Sequence, residues 1–189
     1  MVCICLAAFA FAAQAKNTWS VFSAGLALPM ASAAHTPSGD KVLKPGYDGG
    51  WTIFGLPFTK SESVLSGLGF GGKINYSRWK RDSTWNETYF LGTQGIVRYY
   101  LPFKPNRFEF FGQVGGGMFI GEHAFSDPDT LDRINFPPSI LVTEGAKNFG
   151  LTLNLGVNWD VFEVTPGMTV IFTKGNSSAW LSLSAAAKF

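Results

Sequence analysis

The feature that most constrains this chain is an alternation of apolar and polar side chains with a period of two, returning along most of its length. The clearest instance runs from Phe149 to Asp160, FGLTLNLGVNWD. Phe149, Leu151, Leu153, Leu155, Val157 and Trp159 fall on one face, and Gly150, Thr152, Asn154, Gly156, Asn158 and Asp160 on the other. Successive side chains of a β-strand point to opposite sides of the sheet, so this pattern predicts a strand with one apolar face. Ser177 to Phe189 repeats it, with Ala179, Leu181, Leu183, Ala185, Ala187 and Phe189 opposite Ser178, Trp180, Ser182, Ser184, Ala186 and Lys188. Between them, Val161 to Thr173 keeps an apolar face of Val164, Met168, Val170 and Phe172, interrupted by Pro166. Val64–Trp79, Thr88–Leu101 and Phe108–Ile120 alternate more roughly, and Trp19–Leu28 is a seventh candidate. Gly50–Phe58 is the weakest, because Pro57 is tolerable only at a strand end or edge. No long 3.6-residue pattern with a cap at its start competes with these readings.

Composition decides which way the apolar faces turn. Charged residues make up 15% of the chain, against about 25% in a soluble domain. The deficit implies that part of the surface does not meet water. Phenylalanine (18 residues) and glycine (22) are both abundant, as expected of aromatic strands packed at close approach. A sheet in lipid must close on itself, because hydrocarbon offers no partner to an open strand edge. The expectation is an all-β, closed antiparallel transmembrane barrel, with eight strands once Gly50–Phe58 is counted, since such barrels carry an even number. Placing the connections near Thr59–Ser63, Pro102–Asn106 and Asp160–Glu163 at the inner end makes them short. Met30–Gly49, Lys80–Trp85, Gly121–Ala146 and Lys174–Asn176 then lie outside, and two of these are long.

Eight strands enclose a lumen about wide enough for side chains to fill, not an open pore. Arg98 stands just before the Pro102 turn and Glu109 just after it, while Asp160 and Glu163 bracket another inner turn. These four are expected to meet at the inner end of the lumen, with Arg98 the only basic group among the carboxylates. Lys73, Gln94, Gln113 and Asn154 are expected farther up. Buried charge is costly unless paired, so the simple reading is a mutually satisfied plug; a proton or ion path is the sharper one. Aromatic residues near strand ends (Trp19, Tyr76, Trp79, Trp85, Tyr89, Tyr99, Tyr100, Phe108, Trp159 and Trp180) are read as girdles at the two membrane interfaces.

The first residues differ in kind. MVCICLAAFAFAAQA is uncharged and ends in Ala13-Gln14-Ala15, the shape of a secretory signal peptide over residues 1–15, though without a positive n-region. Residues 16–189 are then the barrel domain, with Lys16 as the first mature residue. Both cysteines, Cys3 and Cys5, fall in the leader, so the mature domain has no thiol chemistry. A formal charge of +2 is too mild to imply nucleic acid.

The final alternating strand ending in Phe189 (AWLSLSAAAKF), the leader, and the segments GFGGKINYSRW and FFGQVGGGMFIG together resemble the small bacterial outer-membrane β-barrel family, of the OmpA-transmembrane-domain and OmpX kind. The resemblance spans roughly residues 16–189. It implies an outer-membrane location, contact with membrane lipid and lipopolysaccharide, and a monomer delivered by the barrel-assembly machinery. In that family the final aromatic residue, here Phe189, serves as an assembly signal. Ala187 stands where a second aromatic is often found, a departure from that pattern.

Chemistry has few candidates. His35 and His123 lie outside any clear strand interior, near Asp40 and near Glu122, Asp127 and Asp129 respectively. Neither makes a nucleophile–base–orienter set. Asp127, Asp129 and Asp132 lack calcium-loop spacing, and GFGG and GQVGGG are not followed by the features of a phosphate loop. No catalytic residue, cofactor or metal is expected. A non-enzymatic structural, adhesion or surface-interaction role is favoured. A small channel or carrier for apolar solutes, a lipid-modifying enzyme and a soluble lipid-binding barrel are the alternatives.

Overall fold

The computed structural model describes residues 17–30, 45–57, 64–80, 87–102, 107–123, 146–172 and 177–189. The leader, His35, Trp85, and Asp127, Asp129 and Asp132 lie outside these residues. The strands are β1 (Asn17–Pro29), β2 (Gly46–Leu56), β3 (Leu68–Lys80), β4 (Glu87–Tyr100), β5 (Phe108–His123), β6 (Ala146–Trp159), β7 (Phe162–Phe172) and β8 (Ser177–Lys188). Each pairs antiparallel with the next, and β8 returns to β1 to close the barrel. Beyond that ladder the Ser20 N–H donates to the Phe189 carbonyl at 3.0 Å and the Phe189 N–H to the Ser20 carbonyl at 2.8 Å. The strands run from 11 to 16 residues, enough for a tilted strand to cross a hydrocarbon core.

The polarity is inverted relative to a soluble barrel. Outside, Leu26, Leu91, Val114, Leu153, Leu155, Val164 and Leu183 are exposed, and comparable side chains stand on every strand. Inside, Thr52, Asn75, Gln94, Arg98, Gln113, Thr152, Asn154, Glu163 and Thr169 are buried. A monomer in water rarely exposes an apolar patch beyond a few hundred Å². A continuous apolar belt around a closed sheet is the surface of a transmembrane barrel.

The termini and the hairpin connections after β2, β4 and β6 share one end, called here the turn end. The connections after β1, β3, β5 and β7 share the other, the loop end. The tightest turn is Asp160–Val161, between the paired residues Trp159 and Phe162. Asp160 has a φ of 59°, a left-handed conformation that two-residue hairpins often require and that Asp tolerates.

Three expectations need correction. β2 begins at Gly46, not Gly50, and ends at Leu56, so Pro57 falls outside the ladder. Val64–Gly67 forms a 3₁₀ turn, and β3 starts only at Leu68. Of the residues read as girdles, Tyr76, Phe108 and Trp159 are exposed on the outer wall, but Trp79 and Trp180 are fully buried in the lumen and belong to no girdle. Trp19 and Tyr100 also pack inward, against Val21, Phe54, Ile96 and Ala186. Alternation put these four on inward positions, and that outweighs their nearness to strand ends.

Leu153 is 50% exposed on the lipid face, whereas its neighbour Asn154 is buried in the lumen. Leu153→Arg is therefore expected to cost about 2–4 kcal/mol near the midplane, and Asn154→Asp less. Urea unfolding of the inserted protein measures both; equal losses would contradict the face assignment.

Candidate functional site in the lumen

The inward faces stack in levels. At the loop end Trp79, Phe90, Phe119 and Trp180 pack with Ala27 and Ile171. Phe90 stacks on Trp180 at 5.7 Å and Trp79 meets Trp180 edge-on at 4.9 Å. At the turn end Val21, Phe54, Ile96 and Ala186 form a second apolar cluster. Hydrogen-bonding groups fill the space between.

Midway, Gln94 Nε2 donates to Asn75 Oδ1 at 2.8 Å, and Thr152 Oγ1 donates to Gln94 Oε1 at 2.7 Å. The second bond skips a strand, joining β4 to β6 over β5. It is possible because β5 carries Gly115 at that level, where a β-carbon would collide with both Thr152 Oγ1 and Gln94 Oε1. Gly156 plays the same part for the Phe111 ring, which lies across it.

Toward the turn end Arg98 crosses the lumen from β4 to β7. Its Nη1 donates to Glu163 Oε2 at 2.7 Å and its Nη2 to Glu163 Oε1 at 3.1 Å. Nε and Nη2 both donate to Gln113 Oε1, at 2.9 and 2.8 Å, and Nη1 reaches the Tyr100 hydroxyl at 3.2 Å. Thr165 Oγ1 also donates to Glu163 Oε1, at 3.1 Å. The guanidinium lies 4.3 Å from the Phe54 ring centroid and 4.0 Å from that of Phe111. A planar cation with five donors suits this site, satisfied at its edge by a carboxylate and an amide and covered on its faces by rings. Arg98 and Glu163 are 2% and 4% exposed.

The four groups expected at the inner end therefore separate. Arg98 and Glu163 form an ion pair. Glu109 is half-buried and accepts from Asn158 Nδ2 at 3.0 Å. Asp160 is exposed on the hairpin, because the left-handed turn removes it from the strand alternation. Arg98 is not alone as a cation: Lys188 lies 5.6 Å from the Trp19 ring, under the influence of Glu109 and Glu163. Lys73, Gln94, Gln113 and Asn154 all face the lumen, with Asn154 against Gly167. Asp48 is an addition. It accepts from Ser77 Oγ at 3.1 Å, and Lys73 is the opposite charge acting on it. Reading β2 from Gly50 hid it. Phe189, at the turn end, is 74% exposed and its ring meets Phe22 edge-on at 6.3 Å.

Among the described residues, no group of three or more His, Cys, Asp or Glu is placed to hold a metal ion. Most of the buried lumen side chains are hydrogen-bonded to one another across the barrel, whereas Asn158 Oδ1 and the indole nitrogens of Trp79 and Trp180 are buried without a hydrogen-bond partner among the described residues.

No family model matches the sequence, and no curated protein does. Solved structures match in fold. Neisserial surface protein A (NspA) superposes with a TM-score of 0.53 at 13% identity, over 91% of this chain and 97% of that one. This chain is a small eight-stranded outer-membrane β-barrel. Its inverted polarity requires a bilayer, and single-chain antiparallel barrels of this form belong to bacterial outer membranes. The N-terminal barrel domain of Pseudomonas aeruginosa OprF gives 0.49 at 10% identity, over 93% of this chain and all (100%) of that domain. Ail, the attachment invasion locus protein of Yersinia pestis, gives 0.47 at 11% identity, over 92% of this chain and 100% of its own.

Replacing Arg98 with Ala leaves Glu163 buried without its counter-charge. The expected loss is about 3–5 kcal/mol, read by urea unfolding in detergent. Removing both charges together (Arg98→Met with Glu163→Leu) is expected to restore part of it. Wild-type stability in Arg98→Ala would contradict the network.

Proposed function

We propose that this barrel is a non-enzymatic membrane anchor and scaffold whose lumen is closed and whose interactions take place at its surface, in a structural or adhesion role. The observation that carries this reading is the Arg98–Glu163 bridge from β4 to β7, packed among the apolar residues of the turn end, with a second apolar cluster filling the loop end. A solute or ion would have to displace aromatic packing at one end and a bidentate ion pair near the other. The side chains that catalysis would need for activation are engaged with one another: Ser77 donates to Asp48, and Thr165 to Glu163. What varies freely in such a barrel is the set of connections at the loop end, which face outward when the turn end faces the periplasm. NspA, the neighbour that shares this fold, is described as a surface protein, in keeping with that reading.

Planar-bilayer recording of the folded protein tests the proposal. No steady conductance above the lipid background is expected. Reproducible open levels would favour the channel alternative, and turnover of labelled phospholipid or lipid A would favour the enzyme.

A further inference from the structure

The outer wall also carries a basic side chain that neither the lumen network nor the apolar belt explains. Near the loop end, Arg78 of β3 is paired with Tyr47 of β2 on one side and Tyr89 of β4 on the other. Alternation places Arg78 outside, because Ser77 and Trp79 are buried and Tyr76 is exposed. Tyr47 is exposed as well, and the Tyr76 and Tyr89 rings lie 6.1 Å apart. The result is a Tyr–Arg–Tyr row across three adjacent strands, with a third ring, that of Tyr76, one level below it.

We propose that this row is a head-group site for a phosphorylated glycolipid of the outer leaflet. The height is right: the row lies at the first levels of β2 and β4 and the last of β3, beside the loop end, where hydrocarbon gives way to head groups. The chemistry is right: a guanidinium offers a planar fork to phosphate oxygens, and the flanking phenols can donate to the same phosphate or to sugar hydroxyls. Tyrosine is also at home at this interface. The apolar side chains Trp51, Ile74 and Leu91 continue below the row and offer contact to an acyl chain. Such a site is distinct from the lumen and independent of whether the barrel conducts.

Native mass spectrometry of the full chain in detergent, titrated with lipid A bearing both phosphates, tests this. Wild type is expected to hold one lipid A molecule. Arg78→Gln is expected to weaken binding about tenfold or more, the scale of losing a charge-assisted contact. Enzymatically dephosphorylated lipid A should bind wild type about as weakly. Lys147→Gln, which removes an exposed cation from the same wall on which Arg78 is half-buried, should leave binding unchanged. Equal affinity in wild type and Arg78→Gln, or equal losses from both substitutions, would overturn the site. So would millimolar inorganic phosphate that occupies it with no preference for the glycolipid. If Arg78→Gln does not fold, the comparison of phosphorylated and dephosphorylated lipid on the wild-type chain decides alone, and equal binding of the two would overturn the proposal.

Discussion

Hydrocarbon cannot hydrogen-bond a bare strand edge, and the rest of this structure follows from that. Every backbone N–H and C=O that enters the bilayer needs a partner within the protein. The chain meets the requirement by pairing eight strands in sequence order and bringing β8 back to β1. The proline in the middle of β7 shows the constraint locally. Pro166 lacks an N–H, and the β6–β7 register is interrupted between Asn154–Gly167 and Val157–Val164, while Pro166 still faces Leu183 of β8. The gap is confined to one side of one strand.

Closure divides the side chains into two populations with opposite needs. Those outside must be apolar, and Leu153, Leu155, Val164 and Leu183 are. Those inside must fill a narrow tube and satisfy one another. Small residues make that filling possible: without Gly115 the Thr152–Gln94 bond could not span β5, and without Gly156 the Phe111 ring could not lie flat. The charges follow the same rule: Arg98 is bridged to Glu163, and Asp48 is the opposite charge acting on Lys73. A pair of this kind is weak evidence of net stability, because desolvation opposes it. Its structural consequence is a tie across the lumen from β4 to β7.

Strand parity was legible in the sequence because lipid and lumen impose opposite chemistries on alternate residues. Phe149–Asp160 and Ser177–Phe189 show it almost without exception, and from parity alone Arg98, Gln113, Asn154 and Glu163 fall inside. Strand ends were less legible. The Gly49-Gly50 pair looks like a boundary, yet β2 runs through it to Gly46, and Asp48 was missed as a lumen carboxylate for that reason. Val64–Gly67 is apolar enough to pass for strand but curls into a 3₁₀ turn. Asp160 looked equivalent to Glu163 by proximity to the same turn; only the backbone at φ 59° separates them. The aromatic residues taught a similar lesson. Trp180 and Trp159 both sit near strand ends, but one is buried and the other exposed, as their parity requires.

The central claim is that the apolar face of each strand meets lipid and the polar face meets the lumen. Spin labels placed singly at positions 153 and 154 of the inserted protein test it most directly. The account predicts that a label at 153 is readily reached by oxygen and shielded from a polar relaxation agent, whereas one at 154 is poorly reached by oxygen. The reverse pattern, or free access of the polar agent to both positions, would contradict the account.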